Sequence, residues 1–99
     1  MIRHIVLLSW KEGVSREKVE AVTAAFNSLR EEIPEIVSYC FGENAGIYKG
    51  NADYALLAEF KSEADLKAYV VHPSHQKLMS EITGPIMKSF QSIQFKEPE

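Results

Sequence analysis

The sequence predicts an α+β fold of six elements, in the order strand, helix, strand, strand, helix, strand. Two observations support this prediction. Runs of β-branched and large apolar residues alternate with segments in which apolar residues recur every three or four positions. Capping and turn-forming residues separate these runs. Four strands with helices between the first and the last pairs match the βαββαβ order of ferredoxin-like folds with an antiparallel sheet.

The first strand is predicted at residues 2–10, and Gly13 closes the segment. Successive side chains of a strand point to opposite faces of a sheet. One face carries Ile2, His4, Val6, Leu8 and Trp10, and the other carries Arg3, Ile5, Leu7 and Ser9. Because both sets contain large aliphatic residues, we expect this strand to be buried on both faces.

The first helix is predicted to begin after Ser15, which is a favourable N-cap residue. Its apolar residues form one stripe at spacings of three and four, namely Val19, Val22, Phe26, Leu29 and Ile33. Pro34 ends the helix, since the residue before a proline avoids the helical conformation.

Two further strands are predicted in the middle of the chain. Residues 36–41 form a β-prone run that stops at Gly42-Glu43-Asn44, and residues 54–60 form the next run. Between them, residues 44–53 hold two glycines and two asparagines, which indicates a long polar loop. Cys40 lies on the first of these strands, and we expect it to be a buried, unreactive residue.

A second helical region is predicted in two pieces. Ser62-Glu63-Ala64-Asp65 fits a capping box at its start, and His72-Pro73 interrupts the helix. Proline suits the first turn of a new helix, whose apolar residues are Leu78, Met79 and Ile82.

The end of the chain is predicted to form the last strand. Gly84-Pro85 breaks the preceding helix, and residues 89–96 are again β-prone. The tail Glu97-Pro98-Glu99 is expected to be frayed.

The pattern also predicts a partner for the sheet. Two helices cover only one face of a four-stranded sheet, yet Ile5, Leu7 and Leu57 place apolar groups on the other face. A second copy of the chain, packed sheet to sheet around a twofold axis, is the simplest cover. We therefore expect a homodimer whose two sheets form a shared α/β barrel.

Composition places the chain among ordinary globular domains. Its 99 residues are 45% apolar and 25% charged, which suits one domain over residues 1–99 and excludes a disordered tail. The net charge of −3 argues against a nucleic-acid partner. A single cysteine forms neither an intrachain disulfide nor a cysteine zinc cage.

The first ten residues indicate a location. MIRHIVLLSW lacks a small-residue cleavage site, and its apolar stretch is far shorter than the ~20 residues that span a bilayer. We expect no membrane association and a reducing, cytoplasmic location.

The segment from residue 68 to residue 76 holds the side chains best suited to acid–base chemistry. Tyr69, His72 and His75 follow one another at intervals of three, and His4 lies on an apolar strand face. Imidazole is the natural acid or base near neutral pH, and a tyrosine hydroxyl can orient it or polarise a carbonyl group. His75 is the best functional candidate among them.

Each of these residues also has a structural interpretation. His72 can satisfy backbone groups at a helix end, Tyr69 can belong to the core, and His4 can be a hydrogen-bonded core histidine. The histidines lack the HExxH spacing and a nearby pair of carboxylates, so no metal site is predicted. The glycines match no phosphate-binding motif and no GxSxG elbow is present, so no cofactor is expected.

Six segments of the chain share a pattern with a known family. They are His4-Ile5-Val6-Leu7-Leu8, Ile33-Pro34 with Ile36, Gly42-Glu43-Asn44, Asp53-Tyr54-Ala55-Leu56, Glu59-Phe60 and Tyr69-x-x-His72-Pro73-x-His75. Together they resemble the stress-responsive A/B barrel (Dabb) domain over nearly the whole chain. The resemblance implies a dimeric α+β barrel of ferredoxin-like units, in agreement with the fold predicted from the pattern.

The resemblance also implies a chemistry. One plant member of the family is a polyketide cyclase that performs a cofactor-free aldol condensation. Its histidine base, its partner tyrosine and its first-strand histidine match His75, Tyr69 and His4. Phe26 and Leu56 stand where that cyclase has a tyrosine and a histidine, which implies a less polar pocket here. Other barrels of similar fold act as cofactor-free monooxygenases or isomerases on small aromatic compounds.

Two hypotheses of function follow. In the first, a cavity between the helices and the covered sheet face binds a small hydrophobic or aromatic ligand, with His75, Tyr69 and His4 as catalytic residues. Its expected lining is Val6, Leu8, Phe26, Leu56, Ala58, Leu78 and Met79. In the second, the protein is a non-catalytic stress-response dimer and these residues are solid core. A cavity beside His75 with one imidazole nitrogen facing it favours the first hypothesis.

Overall fold

In the computed structural model, residues 1–97 form a four-stranded antiparallel sheet with helices packed on one of its faces. The strands are β1 (Ile2–Trp10), β2 (Ser38–Glu43), β3 (Tyr54–Phe60) and β4 (Met87–Lys96), in the order β2-β3-β1-β4 across the sheet. The helices are α1 (Arg16–Glu32), α2 (Glu63–Val71) and α3 (Pro73–Leu78). The predicted ferredoxin-like order is confirmed. Pro98 and Glu99, part of the tail predicted to be frayed, lie outside the described residues.

The helix starts follow from side-chain caps. The Ser15 hydroxyl accepts a hydrogen bond from the Lys18 amide at 3.3 Å, and the Ser62 hydroxyl accepts one from the Asp65 amide at 3.2 Å. Each bond satisfies a backbone donor that the first helical turn leaves without an acceptor. Helix α1 ends at Glu32 with Ile33 as its C-cap, as Pro34 predicts.

Two strand boundaries differ from the prediction. Strand β2 begins two residues later than expected, because the Ile36 amide still bonds the Ile33 carbonyl in a turn after α1. It continues through Gly42 and Glu43, which pair with Ala55 and Tyr54. Strand β4 begins two residues earlier than expected, because Met87 pairs with Trp10 beyond a shift in the pairing register of β1 and β4.

A π-helical turn at Met79–Thr83 follows α3, and a short 3₁₀ turn at Gly84–Ile86 leads into β4. The Gly84 amide donates to the Met79 carbonyl five residues earlier, which widens the helix here. A Cβ atom on Gly84 would collide with that carbonyl oxygen, so this turn requires glycine. Gly84-Pro85 therefore ends the helical region through a widened turn.

The core lies between the helices and one sheet face. Its buried apolar residues are Ile2, Leu8, Val19, Val22, Phe26, Leu29, Ile33, Tyr39, Tyr54, Leu56, Ala58, Phe60, Tyr69, Leu78 and Ile86. All five residues of the apolar stripe predicted for the first helix are buried here, as are alternate residues of β1 and β3.

The other sheet face carries an apolar patch. Ile5 pairs across the sheet with Leu57 on β3 and with Ile93 on β4. On this face Leu7 is 41% exposed and Ile93 is 57% exposed. The sequence prediction of apolar groups on both sides of the sheet is confirmed, and within a single chain this open face is uncovered.

Cys40 corrects one expectation. It lies on the open face, opposite Leu57 on the neighbouring strand, and it is exposed in the single chain. The apolar character of its strand was misleading because β2 is an edge strand and the helices cover only its other face. Over residues 1–97, no helix is long and apolar enough to cross a membrane.

Candidate functional site

A cavity of about 300 Å³ lies between the helices and the covered face of the sheet. Its lining residues are His4, Val6, Leu8, Phe26, Leu56, Tyr69, Val70, His75, Leu78, Met79, Thr83, Met87, Phe90, Ser92 and Gln94. Every residue predicted for the site is among them except Ala58. Ala58 is fully buried as the cross-strand neighbour of His4.

Several lining residues were not found by sequence reasoning. Ser92 and Gln94 reach the cavity because they pair with Val6 and His4 across the sheet. Their alternation along β4 is visible in the sequence, but the pairing partner of β4 is not. Thr83 reaches the cavity through the π-helical turn, which the helical periodicity did not indicate.

The break between α2 and α3 positions His75. In a continuous helix the Val70 carbonyl would accept from the Ser74 amide. Here the Ser74 amide donates to His72 Nδ1 instead, at 3.1 Å. The Val70 carbonyl is therefore free to bond side chains, His75 Nδ1 at 3.0 Å and Gln76 Nε2 at 2.7 Å.

This bond determines which nitrogen of His75 carries the proton. A carbonyl oxygen only accepts, so Nδ1 must be the protonated nitrogen and Nε2 keeps its lone pair. His75 Nε2 has no hydrogen-bond partner within residues 1–97, and the residue lines the cavity. A neutral His75 can therefore accept a proton from a ligand.

His72 has the structural role that one interpretation of the sequence gave it. Its ring nitrogen caps the start of α3, where Pro73 occupies the first turn. The His72 side chain is not among the residues that line the cavity.

Tyr69 forms the wall behind His75. The two ring centroids lie 4.5 Å apart, and the ring centroids of Tyr69 and His4 lie 6.1 Å apart in an edge-to-face arrangement. The Tyr69 hydroxyl lies 2.6 Å from the Tyr39 hydroxyl, and both residues are buried. Burial raises the pKa of Tyr69 to about 12 and also raises the pKa of Tyr39, so both phenols stay protonated at neutral pH.

His4 is the second imidazole of the cavity. It is buried, and its Nδ1 lies 2.9 Å from Gln94 Nε2. Burial lowers the pKa of His4, and the nearby His75 lowers it further. Burial also lowers the pKa of His75, outweighing the bond to Val70 that raises it. Both rings are therefore neutral at pH 7.

The cavity is electrically neutral. Among its described lining residues, none is an aspartate, glutamate, lysine or arginine. In the part of the chain that the structure describes, no group of three or more histidine, cysteine, aspartate or glutamate side chains could hold a metal ion.

A larger cavity, of about 580 Å³, lies on the open face of the sheet beneath the loop before β3. Its described lining includes Leu7, Glu43, Asn51 and Phe90, and no histidine. The residues suited to acid–base chemistry are therefore gathered in the smaller cavity.

Comparison with known proteins gives consistent results. The family model of the Stress Responsive A/B Barrel Domain matches residues 2–97. The chain is 27% identical to the stress-response A/B barrel domain-containing protein HS1 of Arabidopsis thaliana over 89 residues, which cover 88% of this chain and 82% of the plant protein.

Solved structures share the fold. A dimeric ferredoxin-like protein of unknown function from Thermobifida fusca superposes with a TM-score of 0.90 at 35% identity, over 97% of this chain and 90% of that one. The hydroxynitrile lyase from Passiflora edulis superposes with a TM-score of 0.85 at 20% identity, over 99% and 94% of the respective chains. The latter likeness concerns the fold alone.

The lowered histidine pKa values predict how stability depends on pH. In the unfolded chain His4 and His75 take up protons near the ordinary pKa of 6.5, whereas burial opposes this in the folded protein. Below this pH the unfolded state therefore binds more protons than the folded state. The free energy of unfolding should then fall as the pH drops through about 6.5 towards the lowered pKa values of the two histidines in the folded protein. Denaturant titrations at about pH 7.5 and about pH 5.5 measure this loss.

The control for this measurement is the double variant His4→Asn, His75→Gln, which keeps His72 and all carboxylates. It should lose less stability over the same interval, because the two titrating histidines of the cavity are gone. An equal loss in both proteins, or a wild type that becomes more stable in acid, would contradict the assignment of two neutral imidazoles in the cavity.

Proposed function

The chain belongs to the stress-responsive A/B barrel family, and we propose that it binds a small uncharged molecule and performs cofactor-independent acid–base chemistry on it. His75 is the base in this proposal. The proposal includes a cytoplasmic location.

The geometry of His75 carries the proposal. Its Nδ1 is committed to the Val70 carbonyl, and its Nε2 is free of partners within residues 1–97 beside a cavity of about 300 Å³. A neutral imidazole with one fixed proton and one available lone pair suits general-base catalysis near neutral pH. A solid core with both ring nitrogens bonded would have favoured the non-catalytic hypothesis.

The lining indicates the class of substrate. Ligand cavities commonly span roughly 300–1,000 Å³, so this one suits a small molecule. Its walls are mostly aliphatic and aromatic, with no charged group among the described lining residues. A carboxylate or phosphate would lose its hydration here without gaining a counter-charge, whereas a neutral aromatic or aliphatic carbonyl compound would not.

The proposed reaction begins with proton transfer. His75 Nε2 takes a proton from the carbon next to a carbonyl group, and the electrons of the broken C–H bond delocalise onto the carbonyl oxygen as an enolate. Return of the proton at another carbon gives isomerisation. Attack of the enolate on a second carbonyl of the same molecule, with the proton on His75 passing to the new alkoxide oxygen, gives cyclisation. The Passiflora enzyme of the same fold is named as a lyase of hydroxynitriles, which supports small-molecule chemistry on this fold.

We extend the proposal to the assembly. The open sheet face carries Ile5, Leu7, Leu57 and Ile93 in neighbouring positions, and an exposed apolar patch of this kind marks an interface. The relative from Thermobifida fusca is described as dimeric. A second copy packed on this face would bury the patch and close the predicted barrel.

The first prediction from this proposal concerns His75. The wild-type protein in D₂O should catalyse exchange of the methyl hydrogens of a small aryl methyl ketone, followed by NMR. His75→Ala should lower the rate by about 10²–10⁴-fold, because general-base catalysis is typically worth that much. The variant should keep the fold, since His75 is only partly buried.

His72→Asn is the matched control. It removes an imidazole three positions away that does not line the cavity, but it keeps a side-chain oxygen that can accept from the Ser74 amide, so the position of His75 and the exchange rate should stay largely unchanged. A His75→Ala protein that exchanges at the wild-type rate would exclude His75 as the base. A wild type inactive on every such ketone would support the non-catalytic hypothesis.

The second prediction concerns the dimer. Leu7→Asp places a carboxylate in the apolar patch, where burial against a second copy would leave it without a partner. Light scattering should give twice the 11.2 kDa chain mass for the wild type and close to the single-chain mass for the variant. Ala24→Asp, on the exposed side of α1, should remain dimeric. A monomeric wild type at micromolar concentration would refute this part of the proposal.

A further inference from the structure

A glutamine on β4 determines the proton position on His4. Gln94 and His4 are direct cross-strand neighbours, and Gln94 Nε2 lies 2.9 Å from His4 Nδ1. An amide nitrogen only donates, so Nδ1 must accept. A neutral His4 then carries its single proton on Nε2.

The protonated nitrogen of His4 belongs to the cavity surface. His4 is 8% exposed and lines the cavity. Its Nε2 makes no hydrogen bond to any residue between 1 and 97, but this atom is still accessible at the surface of the protein. The exposed remainder of this ring is therefore a hydrogen-bond donor without an acceptor in the chain.

The two imidazoles are complementary. His75 is held by a carbonyl and presents a lone pair, whereas His4 is held by an amide nitrogen and presents an N–H group. Tyr69 contacts both rings, so the donor and the acceptor lie on the same stretch of wall. If both histidines had the same tautomer, they would present to the cavity either two hydrogen-bond donors or two hydrogen-bond acceptors.

We propose that Gln94 is a positioning residue that fixes His4 as the hydrogen-bond donor of the cavity, which selects ligands with a carbonyl oxygen and an acidic hydrogen on the adjacent carbon. The oxygen accepts from His4 Nε2–H while His75 Nε2 takes the hydrogen. As the C–H bond breaks, its electron pair forms the enolate and the negative charge collects on the oxygen that His4 holds. The proton on His75 later returns to carbon, which balances the step.

This inference rests on the proposed function only in taking the cavity as a ligand site. The tautomer of His4 is a property of the free protein, so it can be measured without substrate. Failure of the exchange assay and failure of the tautomer assignment are therefore separate outcomes.

The test is ¹⁵N–¹H correlation NMR of the histidine rings in the ligand-free protein at about pH 7.5, where neutral imidazoles predominate. His4 Nδ1 should show the shift of an unprotonated ring nitrogen, and Nε2 the shift of a protonated one. His75 should show the reverse pattern. A protonated Nδ1 on His4 would overturn the proposal, because Gln94 would then present its oxygen to the ring.

The decisive variant is Gln94→Glu. A carboxylate only accepts, so it should draw the proton of His4 to Nδ1 and shift that nitrogen to the protonated range. Gln91→Glu makes the same change three residues away, where Gln91 faces the opposite side of the sheet, and His4 should keep its wild-type pattern. An unchanged His4 pattern in Gln94→Glu would show that Gln94 does not set the tautomer.

Gln94→Met covers the case in which the glutamate variant fails to fold, since it keeps the length of the side chain without a donor. Its His4 Nδ1 shift should move away from the hydrogen-bonded wild-type value, and an identical shift would contradict the proposal. If exchange is active, Gln94→Glu should also lower the rate for the ketone at saturating concentration.

Discussion

The interruption between α2 and α3 is the constraint on which the candidate site depends. The Ser74 amide, which would bond the Val70 carbonyl in a continuous helix, bonds His72 Nδ1 instead, so the Val70 carbonyl is left for side chains. His75 takes that carbonyl and is thereby fixed in position and in tautomer. A continuous helix would satisfy Val70 with backbone and leave His75 free to rotate.

The sheet serves two purposes on its two faces. The covered face supplies His4 and Gln94 to the cavity through adjacent strands, so the pairing of β1 with β4 fixes their separation. The open face carries the apolar patch around Ile5 and Leu7. Because side chains alternate along a strand, β1 contributes to the cavity and to the proposed dimer interface at once. A register slip of one residue would exchange the two sets.

Much of this arrangement could be predicted from the sequence, since caps, apolar spacing and prolines are local signals. The order of elements followed from them, and so did the cavity lining on β1, α1 and α3. What escaped prediction depends on long-range pairing or irregular backbone. Gln94 and Tyr39 acquire their roles only through partners far away in the chain, His4 and Tyr69. Thr83 depends on the π-helical turn, and Cys40 was misjudged because edge position is not encoded locally.

The ligand site proposed in the smaller cavity has a hydrogen-bond donor at His4 and an acceptor at His75. A crystal structure of the protein grown with a small aryl methyl ketone would show whether a ligand occupies it. We expect the ketone inside the cavity, with its oxygen within hydrogen-bond distance of His4 Nε2 and its methyl carbon facing His75 Nε2. Ketone bound only on the exterior, with side chains filling the cavity, would contradict it.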